Sequence, residues 1–193
     1  VQDRPRELSG SAPLLQSALR QFAQVGFDGA SLQRIAADAG LSKSSVLYHF
    51  GSKEALLDAA LRPAVEDLAN LVEQMVAFAD DAAQEAFLVR FVDYLYEHRL
   101  AIAVIFSHGQ ALAGHAVIDQ ADALVRDLAA RIKPDGVGDR QMLRFGVALS
   151  GAAFMLVAAD RWATDHVPDD EVRAELVDVL GEFVLGRTST PSL

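Results

Sequence analysis

Between Leu32 and Phe50 the chain reads LQRIAADAGLSKSSVLYHF, two short apolar-periodic stretches joined by Ala39-Gly40-Leu41-Ser42. Two helices separated by so tight a turn must pack almost crosswise. That geometry needs a small residue at the crossing, a residue that tolerates positive φ in the turn, and apolar residues on the facing sides. Counting from Leu32, Ala36 is the small fifth residue and Gly40 the ninth, while Ile35, Ala39, Leu41 and Val46 fall on the inner faces. Ser31 and Ser42 stand where the two helices need capping hydroxyls. The outward face of the second helix is then Lys43, Ser44, Ser45, Tyr48 and His49. These are cationic and hydrogen-bonding groups of little apolar bulk, as insertion into a DNA major groove requires. The spacing is that of a helix-turn-helix; on this span alone, a two-helix corner with a polar surface is the other reading.

The surrounding sequence predicts an all-α chain. Ser11-Ala12-Pro13 is a helix start, and Leu15, Ala18, Leu19 and Phe22 make a core-facing stripe expected to stop near Gly26. Phe27-Asp28-Gly29 reads as a turn. Ser52 is expected to cap a fourth helix that starts at Lys53 and continues, kinked near Pro63, to about Ala79. Further helices are expected near 82–98, 99–108, 115–132, 139–165 and 169–186, with breaks at Gly109/Gly114, at 134–138 and at Val167-Pro168-Asp169. No strand-like alternation or internal repeat interrupts this pattern. Two domains follow: a helix-turn-helix head at 1–62, with its core at about 12–55, and a larger helical body at 63–193.

Charge divides along the same line. The chain holds 17 Lys+Arg against 27 Asp+Glu, a net of −10. Residues 1–62 carry 7 basic and 6 acidic groups, whereas 63–193 carry 10 and 21, a net of −11. Such a body is repelled by DNA, so DNA must bind the head. The absence of cysteine excludes disulfides, thiol nucleophiles and zinc-thiolate sites. The longest uncharged stretch, Leu100 to Ile118, is broken by Ser107, His108, Gly109, Gln110, Gly114 and His115, and the N-terminus lacks an apolar signal core. A soluble, cytoplasmic protein is expected, with no membrane partner.

From Gly26 the segment GFDGASLQRIAADAGLSKSSVLYHFGSKEALLDAAL resembles the N-terminal domain of TetR-family transcriptional regulators. The matching elements are Gly26-Phe27, Ile35-Ala36, Ala39-Gly40, Ser42-Lys43, Tyr48-His49-Phe50 and Ser52-Lys53-Glu54 before a long helix. The resemblance covers about residues 12–62. It implies that Lys43, Ser44 and Ser45 read base edges, that Tyr48 and His49 clamp phosphates, and that Lys53 binds a phosphate at a helix N-terminus. It also implies that Ser31 donates to a phosphate as well as capping. The alternatives are Ser31 and Ser42 as caps only, Tyr48 half buried, and Lys53 as a solvated lysine; Val46, Leu47 and Phe50 are expected in the core. The chain departs from the family in having Ala30 where Thr is frequent and Leu47 where Tyr is frequent. Arg4 and Arg6 are either a minor-groove arm or a solvated tail.

The resemblance further implies a homodimer that reads a palindromic operator with two recognition helices at least roughly 34–36 Å apart. The last two helices would form the interface. Gly146 to Ala153 offers small residues for close approach, and Val172, Leu176, Val179, Leu180, Phe183 and Val184 offer an apolar stripe. It implies, too, a small-molecule effector that releases the operator. Phe87, Phe91, Tyr94 and His98 share a helix face, followed by Phe106, His108 and Gln110, with Met142, Phe145, Leu149 and Met155 on the penultimate helix. From these, Phe87, Phe91, Tyr94, Phe106, His108, Met142 and Phe145 are the candidate pocket residues, suited to a largely apolar ligand. No HExxH, GxSxG, Walker or dinucleotide motif accompanies the histidines, so no enzyme and no cofactor is expected. A metal-responsive regulator using His108 and His115, and a helical interaction protein without DNA binding, are the rival readings.

Overall fold

A computed structural model of the chain describes residues 11–74, 81–132, 139–157 and 168–185. Among them lie nine α-helices: α1 (Ser11–Gly29), α2 (Leu32–Asp38), α3 (Lys43–Phe50), α4 (Lys53–Glu73), α5 (Asp81–Glu97), α6 (Arg99–His108), α7 (Ala116–Ile132), α8 (Asp139–Val157) and α9 (Asp169–Leu185). The described residues contain no strand, and none of their helices is long and apolar enough to cross a membrane. The expected ends at Ala79 and 165, the 134–138 break, Arg4 and Arg6 lie outside the described residues.

Glycine decides two of the head's corners. Gly26 takes φ 73° and ψ 173°, which interrupts α1. The first helical run stops at Gly26, as the sequence suggests, and Phe27–Gly29 winds one further turn beyond the kink, where the Ala30 N–H donates to the carbonyls of Gly26 and Phe27. Gly40 takes φ 71° between α2 and α3, a left-handed conformation that costs an L-residue roughly 1–2 kcal/mol. The Leu41 N–H reaches back to the Ala36 carbonyl at 2.8 Å and closes the turn.

One apolar core binds head to body. Leu14, Ala18 and Phe22 of α1, Ile35 and Ala36 of α2, and Val46 of α3 are buried in the same cluster as Leu56, Leu57, Leu61 and Val65 of α4. Ala101 and Val104 of α6 and Val117 and Ile118 of α7 close that cluster from the other side. α4 runs through Pro63 as one helix with the proline on its exposed side, so the 62/63 boundary falls inside a continuous element. Further along α4, Leu68, Leu71 and Val72 join a second core with Phe87, Phe91, Val92 and Leu95 of α5 and Leu180 of α9. α6 packs on α1, α7 on α4, and α9 across α5 and α8.

Candidate functional site

The first turn of α3 is organised by its cap. Ser42 is extended, and its hydroxyl accepts the Ser45 N–H at 3.1 Å, worth about 1 kcal/mol. The same oxygen lies 2.9 Å from the Ser44 hydroxyl and 3.0 Å from that of Ser45. Three hydroxyls thus gather at the positive end of the helix, beside the exposed Lys43. Those of Ser44 and Ser45 can exchange an internal partner for a base edge without leaving a buried group unpaired. At the far end Tyr48 is 86 % exposed and meets His49 edge-on, with ring centroids 5.3 Å apart. Tyr48 is therefore not half buried. Leu47, expected in the core, is exposed, because the helix turns only Val46 fully inward with Phe50 half buried behind it.

Two other positions behave differently from their sequence reading. Ser31 occupies the cap position of α2 with extended backbone, but its hydroxyl makes no capping bond and the residue is exposed. Its hydroxyl is left for an external acceptor. Lys53 is partly buried, and its side chain turns back onto the chain. Its Nζ donates to the carbonyls of Phe27 at 2.7 Å and Ala30 at 3.3 Å, and lies 4.4 Å from the centroid of the Phe27 ring. The Gly26 kink brings Phe27 and those two carbonyls over the start of α4, and a partly buried ammonium takes the nearest strong acceptors. Lys53 therefore staples α4 to the turn that leads into α2. That same start is capped by Ser52, whose hydroxyl accepts the Ala55 N–H at 3.1 Å.

In the body, an apolar cavity of about 140 Å³ opens between α4, α5, α6, α7 and α8. Phe91, Tyr94 and Phe106 stand in its wall, with Ile102, Leu128 and Leu149. Phe87 is not there; it is buried in the second core, stacked 6.0 Å from Phe91. Nor is His108, which faces the head: its Nε2 lies 3.2 Å from the Ala23 carbonyl, and its ring abuts Gly26. The side chains of Met142 and Phe145 lie outside the described residues. Asp122, Val125 and Leu128 of α7 were not among the candidates, although that helix's apolar spacing at Val117, Ala121, Leu124 and Leu128 is legible in the sequence. No periodicity says which of several amphipathic helices will border a gap.

A polar cavity of about 260 Å³ adjoins this one, lined by Asp67, Gln74, Arg90, Glu97 and His98. The His98 Nε2 lies 2.9 Å from Asp67 Oδ2, tying the α5–α6 junction to α4. Tyr94 borders both cavities. Burial, with the Asp67 carboxylate adding to it, holds the Tyr94 hydroxyl well above the ordinary tyrosine value. His115 lies away from these groups, its ring centroid 5.4 Å from that of Phe27 at the head–body junction. Possible metal ligands converge among the described residues at Asp67, Glu97 and His98 rather than at His108 and His115.

On α8 and α9 the apolar residues divide. Leu180 is buried, and Val172, Leu176 and Leu149 are partly buried. Leu143 and Val147 are 69 % and 57 % exposed, and Phe154, Met155, Val179 and Phe183 are exposed beside them. Gly146 and Gly151 have open space where a Cβ would point. The side chain of Val184 lies outside the described residues.

Residues 14–60 match the family model described as "Bacterial regulatory proteins, tetR family". The chain is 35 % identical over 127 residues to the HTH-type transcriptional regulator RutR of Escherichia coli K12, covering 62 % of this chain and 55 % of that protein. It is 26 % identical over 186 residues to the HTH-type transcriptional regulatory protein RaaS of Mycobacterium tuberculosis, covering 94 % and 84 %. The chain thus spans little more than half of the RutR length. Among solved structures, a TetR-family transcriptional regulator from Bordetella parapertussis superposes with a TM-score of 0.74 at 18 % identity, over 95 % of this chain and 100 % of that one. That likeness is one of fold.

Proposed function

We propose that the chain, whose residues 14–60 match the family model of bacterial tetR-family regulatory proteins, is a sequence-specific DNA-binding regulator of that kind, a homodimeric repressor in the cytoplasm released by a small, largely apolar effector. The observation that carries this reading is the outer face of α3. Lys43, Ser44, Tyr48 and His49 are all exposed on a short helix held away from the body by the Ala36 crossing and the Gly40 turn. Lys43, Ser44 and Ser45 read base edges; Ser31, Tyr48 and His49 hold phosphates. Lys53 serves the same surface indirectly by fixing the angle at which α4 leaves the three-helix head.

The exposed apolar stripe of Leu143, Val147, Phe154, Val179 and Phe183 is the dimer face. So much apolar surface on one side of a helix pair is unfavourable in water and favours a second copy. A two-fold dimer presents two α3 helices and so reads a palindrome. The effector enters the 140 Å³ cavity, whose wall includes α4 and the helices α6 and α7 packed on the head core. A ligand that prefers one spacing of the heads shifts the population toward it.

The test is binding to the DNA upstream of the protein's own gene, titrated with salt. Affinity should fall as salt rises, with a slope near 0.9 per phosphate neutralised, and scrambled DNA should bind far more weakly. A binding constant that ignores salt, or equal affinity for scrambled DNA, refutes the reading.

A further inference from the structure

The effector cavity is not electrostatically neutral. Its wall holds three aromatic residues, Phe91, Tyr94 and Phe106, and the exposed Asp122 of α7 lines it as well. An aromatic face carries negative quadrupole and attracts cations within about 6 Å. Tyr94 keeps its ring in the cavity wall, while Asp67 is close enough to act on its hydroxyl from the polar side. The whole body adds to this: residues 63–193 carry a net of −11, a field that concentrates cations and repels anions at any opening in its surface.

Resting on the assignment of this cavity as the effector site, we infer that its ligand is a lipophilic monocation, an apolar or aromatic group in the cavity with an ammonium at Asp122. Size agrees with a compact ligand. An apolar cavity of about 150 Å³ accommodates benzene, and this one has about 140 Å³, so one ring fills it and a short linker carries the charge to Asp122. A carboxylate of the same shape would bring its negative charge against Asp122 and the ring faces. The acidity of the body then has a role beyond keeping it off DNA: it selects the charge of the signal.

Three molecules of nearly one shape test this: phenethylamine, phenethyl alcohol and phenylacetate, titrated into the full chain by calorimetry at one ionic strength. The amine should bind roughly tenfold tighter than phenylacetate, with the alcohol between them; a tenfold ratio is what one partly screened charge pair supplies. Asp122→Asn should bring amine and carboxylate toward equal affinity and leave the alcohol unchanged. Raising salt should shrink the amine's advantage in the parent. Phenylacetate binding as tightly as the amine, or a preference that survives Asp122→Asn, overturns the charge inference while the cavity remains the effector site. Leu149→Trp, which fills the cavity, separates the two claims. If none of the three binds the parent, or if Leu149→Trp binds them unchanged, the cavity assignment itself falls, and the charge inference with it.

Discussion

Replacing Lys53 with Met keeps the stem and removes only the ammonium, so it separates a structural role from a phosphate contact. In the folded head that ammonium donates at 2.7 Å to the Phe27 carbonyl and at 3.3 Å to that of Ala30. A hydrogen bond from a charged donor is worth about 1.5–3 kcal/mol. The longer bond contributes less, and partial exposure screens both. The cation over the Phe27 ring at 4.4 Å adds about 0.5–1 kcal/mol. The Phe27 carbonyl retains the Ala30 N–H as a partner, which softens the loss. A net cost of about 2 kcal/mol is expected, a large part of a typical 5–15 kcal/mol total. Urea denaturation at fixed protein concentration, without DNA, should show a lower midpoint at unchanged slope. Operator affinity should fall through a misplaced head, with the salt slope conserved. If Lys53→Met is instead as stable as the parent, and the salt slope drops by about 0.9, Lys53 is a phosphate ligand and the staple is wrong.

Tyr48→Ala should leave stability within about 0.5 kcal/mol, since the side chain is 86 % exposed, yet weaken specific and random DNA alike in a gel-shift assay. Ser44→Ala should instead change which operator sequence is preferred; equal losses for the two variants would contradict the division of roles. Ala36→Leu should cost about 1–3 kcal/mol by overpacking the α2–α3 crossing, and abolish operator binding at temperatures where circular dichroism still shows a folded chain. Val147→Glu, at a 57 % exposed position, should convert a dimer to a monomer by sedimentation equilibrium while hardly changing the fold. Tyr94, raised by burial and then by Asp67, contributes stability that is complete below the unfolded tyrosine pKa of about 10 and is lost as pH rises above it. Tyr94→Phe should flatten that alkaline decline in the denaturation midpoint.

The head was legible because its information is local. Gly40 is required by one turn, Ser42 and Ser52 by two helix starts, and Ala36 by one crossing, all within a few residues of the groups they position. Capping, φ preference and 3.6-residue periodicity are properties of short segments, so the two-helix geometry and the polar outer face of α3 could be written from the residues alone. The apolar cavity was legible only in part. Phe91, Tyr94 and Phe106 border it, but Phe87, one turn from Phe91 on the same face, is consumed by the core. His108 is directed at Ala23, 85 residues earlier in the chain.

The amino-acid order alone decided the fold class, the helix-turn-helix and the split between a near-neutral head and an acidic body, since each follows from sums or spacings along the chain. Tertiary structure alone decided that Lys53 donates to the Phe27 and Ala30 carbonyls, that head and body share one core through α4, and that the exposed Asp122 lines an apolar cavity. Those three depend on which distant atoms become neighbours. A lysine finds its strongest acceptor, and a gap acquires its walls, only after the helices have packed.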